Sequence, residues 1–145
     1  MDDCIDVSIH IESVEKALTD LGHGITDRTA LMETIAGTML NAVTQNFNDG
    51  GRPQAWEAPK HRTGMPLVDT AVLKNSITEA SDNDSAMVGT NVIYAAIHNF
   101  GGTIKRETTK GKVEIEMPQR EFLNLTPQDE EDIMDDVHTY FQNLI

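Results

Sequence analysis

DRTALMETIAGTMLNAVTQNF, residues 27–47, is the stretch on which the fold turns. Within it Leu31, Ile35, Met39, Val43 and Phe47 recur every four residues, which lays one continuous apolar stripe along an α-helix. Thr26 or Asp27 is placed to cap its first N–H groups, and Asn48-Asp49-Gly50-Gly51 stops it. A helix of about twenty residues is roughly 30 Å long, enough to cross a small sheet or line a subunit contact.

The chain leaves this helix into a stretch without period. Residues 52–66 hold Pro53, Trp56, Pro59, Lys60, His61 and Arg62 among small polar groups. They read as an irregular surface loop anchored by burial of Trp56. The loop is basic in an otherwise acidic chain, so Arg52, Trp56, Lys60 and Arg62 are candidate docking residues. Upstream, Ile5, Val7, Ile9 and Ile11 alternate with polar residues and predict a half-buried strand. A short amphipathic helix is expected over Ser13–Leu21, ended by Gly22 and Gly24.

Downstream, a short helix is expected over Thr70–Ser76, capped by Asp69 or Thr70. Ile77–Ala80 and Ala86–Thr90 predict a hairpin around Ser81-Asp82-Asn83-Asp84. A brief helical turn at Tyr94–Phe100 closes on Gly101-Gly102. A second hairpin joins Thr103–Thr108 to Val113–Met117, and its tip carries the docking candidates Lys105, Arg106, Lys110 and Lys112. Thr126-Pro127 opens a C-terminal helix, since threonine caps and proline suits the first helical position. Ile133, Val137, Phe141 and Leu144 continue it to the end. The expectation is one α+β domain over residues 1–145: a small antiparallel sheet, a long central helix, a C-terminal helix packed on it and an extended loop and hairpin.

Composition narrows the function classes. A net charge of −13 and a pI near 4.5 argue against tight binding of phosphate backbones, which needs clustered Lys and Arg. No apolar run approaches the ~20 residues needed to cross a bilayer, and Met1-Asp2-Asp3-Cys4 lacks a signal-peptide layout. With Cys4 alone, an internal disulfide and a zinc ribbon are excluded, and a protein made in the cytoplasm is expected. The five histidines are scattered, and no phosphate loop or Gly-x-Ser-x-Gly elbow occurs. His61, Asp69 and His98 could converge to hold a metal or move a proton. The commoner arrangement has His98 packed on a strand and Asp69 capping a helix, so no catalytic, metal or cofactor residue is assigned. Asp129 to Asp136 reads either as a solvated, dipole-stabilised helix face or as one part of a negative wall that lets DNA slide past.

Three blocks carry a resemblance. They are Pro66-Leu67-Val68-Asp69-Thr70-Ala71-Val72-Leu73-Lys74-Asn75-Ser76-Ile77, then Val88-Gly89-Thr90-Asn91-Val92-Ile93-Tyr94-Ala95-Ala96-Ile97-His98-Asn99-Phe100-Gly101-Gly102, then Met117-Pro118-Gln119-Arg120-Glu121-Phe122-Leu123. In order and spacing the chain resembles the phage virion morphogenesis family, which includes tail-completion proteins of Mu-like and P2-like phages. The middle block is the specific one. Ala71 stands where the family pattern has glycine, so a positive φ is not expected there. Glu121 and Asn124 also depart from the pattern.

The resemblance implies a structural neck or head–tail joining protein, part of the virion and assembled in the host cytoplasm. It implies a ring of identical subunits, six by expectation, that meets the tail tube or terminator and the head connector. DNA would pass its lumen without specific binding. The motif residues implied as structural are Asp69, Thr70, Leu73, Ser76, Gly89, Tyr94, Ala95, His98, Phe100, Gly101, Gly102, Arg120, Phe122 and Leu123. Among them Tyr94 and Phe100, with Ile97, would fill the core beneath the sheet. Arg120 would bond carbonyls or a carboxylate, and Phe122 with Leu123 would anchor the last helix. Two other classes fit the sequence less well. An acidic DNA mimic would bind a host nucleic-acid-binding protein, but the acid here clusters at one helix start. A small hydrolase lacks any motif.

Overall fold

The computed structural model describes residues 12–69 and 71–145. The strand expected over Ile5–Ile11 lies outside them, as does Thr70. Helices α1 (Glu12–Thr26), α2 (Thr29–Asn48), α3 (Val72–Asn75), α4 (Ala95–Phe100) and α5 (Pro127–Gln142) alternate with strands β1 (Thr78–Ser81), β2 (Ala86–Gly89), β3 (Gly102–Thr108) and β4 (Gly111–Met117). The class is α+β. The strands form two separate antiparallel pairs, β1–β2 and β3–β4, among the described residues.

α2 is the axis, packing against both the β1–β2 hairpin and α5. Leu31, Ala36, Ala42, Val43, Asn46 and Phe47 are its buried side chains, while Ile35 and Met39 are half-buried. Its start is held from across the fold. Arg28 N–H donates to the Asn83 side chain, the Arg28 guanidinium pairs with Asp84 at 2.6 Å, and Asp27 Oδ1 accepts from Thr29 N–H at 3.2 Å. The β1–β2 turn that supplies Asn83 is itself closed by Asp82, whose Oδ1 accepts the N–H groups of Asp84 and Ser85.

The core joins Val43, Phe47, Leu73, Ile77, Ala95 and Phe122. Phe47 and Phe122 are fully buried with ring centres 5.2 Å apart, and Trp56 meets Phe47 edge-on at 5.8 Å. Aromatic contacts of this kind add about 0.5–1.5 kcal/mol beyond area burial.

Three local expectations are corrected. α1 does not end at Gly22 and Gly24 but runs through both to Thr26. A Cβ at Gly24 would meet the Leu144 side chain, which packs directly against this glycine. The Tyr140 hydroxyl, within 3.1 Å of Gly24 O and 2.9 Å of Asp27 O, secures the same contact.

Second, Tyr94 and Phe100 do not fill the core; they are 45% and 71% exposed, and Ile97 is half-buried. α4 is six residues long, and Ala95 and Asn99, one turn apart, take its inward face. Third, Ala71 does adopt positive φ, 60°, as the residue before α3. Ala71, the residue at the start of α3, has no side chain to cap it, and Asp69 lies 3.9 Å from Arg62 Nε instead.

At the C-terminal helix Thr126 Oγ1 accepts from Asp129 N–H at 3.2 Å, and Asp129 Oδ2 accepts from Thr126 N–H at 2.8 Å. This reciprocal pair with Pro127 gives α5 a defined start.

Candidate functional site

The loop after α2 is fastened from both ends. Arg52 folds back: Nε donates to Asn46 Oδ1 at 2.9 Å, one terminal nitrogen to Ala42 O at 2.7 Å and Asp129 Oδ2 at 2.9 Å, the other to Asp129 Oδ1 at 3.2 Å. Its side chain is 18% exposed and that of Asp129 is 8%. Arg52, a docking candidate by sequence, instead has its charge held inside the fold. Asp129 likewise leaves the acidic surface. Burial alone would raise its pKa, but the Thr126 N–H and the Arg52 guanidinium outweigh burial and hold it below the ordinary carboxylate value.

At the far end Arg120 does the same work for the outer loop. Its Nε donates to Glu57 O at 2.9 Å and a terminal nitrogen to Ala58 O at 3.3 Å. Trp56 is half-buried on Phe47, so it anchors the loop rather than standing free. Arg62 donates to Met65 O at 3.0 Å and is half-buried, whereas Lys60 is exposed and 3.8 Å from Glu57. Of the loop's basic candidates, Lys60 is thus the exposed one.

The second and third motif blocks meet in space. Asn99 Oδ1 accepts the N–H groups of Phe122 at 3.1 Å and Leu123 at 3.0 Å, and His98 O accepts from Arg120 N–H at 2.8 Å. Gly101 and Gly102 turn the chain with φ of 72° and 144°. A Cβ on Gly101 would lie 2.9 Å from Gln119 N, so only glycine allows this approach. From the first block, Leu73 is buried and Ser76 Oγ bonds Leu73 O and Thr90 Oγ1, both at 2.6 Å. Gly89 ends β2 opposite Thr78, Ala95 is buried, and Leu123 lies half-buried on the core.

Between the loop, α3, α4 and the base of β4 runs a cleft of about 640 Å³. Lys60, His61, Arg62, Tyr94, His98 and Arg120 are on its walls. His98 stands edge-on to Tyr94 at 5.9 Å, and its Nδ1 is buried with no hydrogen-bond partner among the described residues. Burial, then the nearby Arg120 charge, pushes its pKa down, so the ring is neutral at pH 7. His61 and Asp69 share the cleft, yet no three His, Cys, Asp or Glu side chains among the described residues cluster to hold a metal.

The β3–β4 hairpin projects with every residue from Gly102 to Glu116 exposed. Its register pairs Thr103 with Glu116, Lys105 with Glu114 and Glu107 with Lys112 on one face. The other face pairs Ile104 with Ile115 and Arg106 with Val113, and Lys110 sits in the turn.

Sequence reading missed Asn46, Asn99, Asn124 and Asp129 as the polar centre. Asn46 immediately precedes the buried Phe47 at the end of the apolar stripe, and this was the available signal for it.

The fold offers surfaces for binding and an interior knit by structural hydrogen bonds, the layout of an assembly component. The chain belongs to the phage virion morphogenesis family, whose pattern matches residues 9–142. It is 51% identical over 134 residues to Mu-like prophage FluMu G protein 2 of Haemophilus influenzae, covering 92% of this chain and 93% of that one. It is 28% identical over 145 residues to the putative capsid assembly protein G of Escherichia phage Mu, covering 90% of each. No solved structure matches the chain. Its role is in phage structure and assembly.

Proposed function

We propose that this chain completes the phage tail as a ring of identical subunits, six by expectation, at the head–tail junction or the tail's head-proximal end. The observation that carries the reading is the family match over nearly the whole chain. The mechanism is binding, with no step that needs catalysis or a cofactor. The ring caps the tail tube or its terminator on one side and presents a surface to the head connector on the other. Lys60 and the hairpin tip, with Lys110 and Lys112, are the docking elements, since exposed cations on an acidic subunit steer encounter and register. DNA passes the lumen without a binding minimum, because a subunit of net charge −13 repels phosphate.

The experiment is electron microscopy of lysates from phage lacking the gene. Filled heads beside unattached tails, or tails of irregular length, are expected. Intact infectious particles would overturn the reading and bring forward an acidic mimic of DNA directed at a host nucleic-acid-binding protein. Charge reversal by Lys110→Glu with Lys112→Glu should impair joining while the subunit stays folded.

A further inference from the structure

We infer that the apolar face of the β3–β4 hairpin is the contact between copies of this chain, seated on the acidic outer face of α5 of the neighbouring copy. This rests on the ring reading above and deepens it.

The hairpin's two faces are unlike. One is a ladder of charge: Thr103 donates to Glu116 at 2.8 Å, while Lys105 and Lys112 each lie 3.9 Å from their glutamate partners. That face is satisfied in water. The opposite face sets Ile104, Val113 and Ile115 in one patch, each more than a third exposed. Among the described residues no other element packs substantially on the hairpin to cover them. A lone two-stranded hairpin is marginal in water, and a bare β-branched face on it invites association. The patch continues at its base, through Ile115 and Met117, into the cleft walled by Val72 and Tyr94.

The chemistry of the patch selects its occupant. Arg106 lies within the apolar face, opposite Val113. Such a surface takes an apolar group flanked by carboxylates. α5 presents this arrangement: Met134 is 52% exposed, with exposed Glu130, Glu131 and Asp135 one turn before it or beside it. The hairpin holds four cations against three carboxylates, so the excess of acid lies wholly on the rest of the chain. Copies therefore attract where hairpin meets α5 and repel elsewhere. The two surfaces differ, so the contact is head-to-tail, the type of contact that a ring of identical subunits repeats. The acid of α5 then serves the subunit contact rather than lining the lumen.

The test measures the mass of the full chain by light scattering over a dilution series, with circular dichroism to verify folding. Wild type should be multimeric, and Ile104→Ser with Ile115→Ser should give the 16.0 kDa monomer with an unchanged circular dichroism spectrum. Arg106→Glu should weaken association at least about tenfold, and adding Glu131→Arg should restore it in part. If wild type is multimeric and the isoleucine variant stays so, the inference fails while the ring reading survives. If wild type is monomeric at every concentration, both fail. Loss of association by Arg106→Glu without rescue by Glu131→Arg would remove α5 as the occupant.

Discussion

Replacing Arg52 with methionine tests the claim that its charge is structural. The change removes four hydrogen bonds to Asn46, Ala42 and Asp129, and leaves a carboxylate 8% exposed with only the Thr126 N–H beside it. Removing one partner of a buried pair costs about 3–5 kcal/mol, and partial exposure of Arg52 favours the lower end. Against a urea slope of about 2 kcal/mol/M, a loss of ~3 kcal/mol moves the unfolding midpoint down by roughly 1.5 M. Arg52→Met with Asp129→Asn should recover about 1–2 kcal/mol, because the stranded charge is gone. Acid should act in a defined direction. Asp129 has its pKa lowered in the folded state, so its stabilisation is present above the ordinary 3.8 and is lost as pH falls through the folded value. The gap between wild type and Arg52→Met should thus be full near about pH 7 and close in acid. A midpoint shift below about 0.3 M, or a gap that ignores pH, would refute the reasoning.

Three further outcomes are expected. Ala71→Gly should raise stability by about 0.5–1 kcal/mol, seen as a higher thermal midpoint, since Ala71 holds φ at 60° against its Cβ. Asn99→Ala should cost about 2–4 kcal/mol in denaturant melts, because two N–H groups, at Phe122 and Leu123, lose their acceptor. His98 has a lowered pKa, so its neutral form supports the fold above about pH 6.5 and protonation removes that support as pH falls. Thermal midpoints between about pH 7.5 and 5.5 should drop further for wild type than for His98→Gln.

The legible parts of this fold are those specified by neighbours in the chain. The stripe from Leu31 to Phe47, the Thr126-Pro127 start of α5 and both hairpins depend on residues a few positions apart, and each forms as read. What stayed hidden depends on distant partners. Gly24 looks like a helix breaker until Leu144 is set against it. Arg52 and Asp129 look like surface charges, for nothing in a single sequence announces a pair 77 positions apart. Tyr94 and Phe100 look like core by size, but a six-residue helix buries one narrow face, and Ala95 with Asn99 occupy it. Of the candidate docking residues, Lys60 and the hairpin cations are exposed, while Arg52, Trp56 and Arg62 are half-buried and held by the fold.

The Asn46 side chain has a bearing on how the chain folds. Its amide lies 2.7 Å from Phe122 O and 3.1 Å from Asn124 O, partners 76 and 78 positions away, while its carbonyl accepts from Arg52. An apolar side chain there would tolerate any greasy segment that happened to land on α2. A buried amide does not: until the segment after Arg120 is seated correctly, it is desolvated with nothing to bond. Collapsed states with the C-terminal third misplaced are thereby penalised. The cost is late closure, since the ends of so long a loop must meet first. Asn46 acts as a proofreader of the folding reaction, admitting one docking of the chain's last third and disfavouring the near misses.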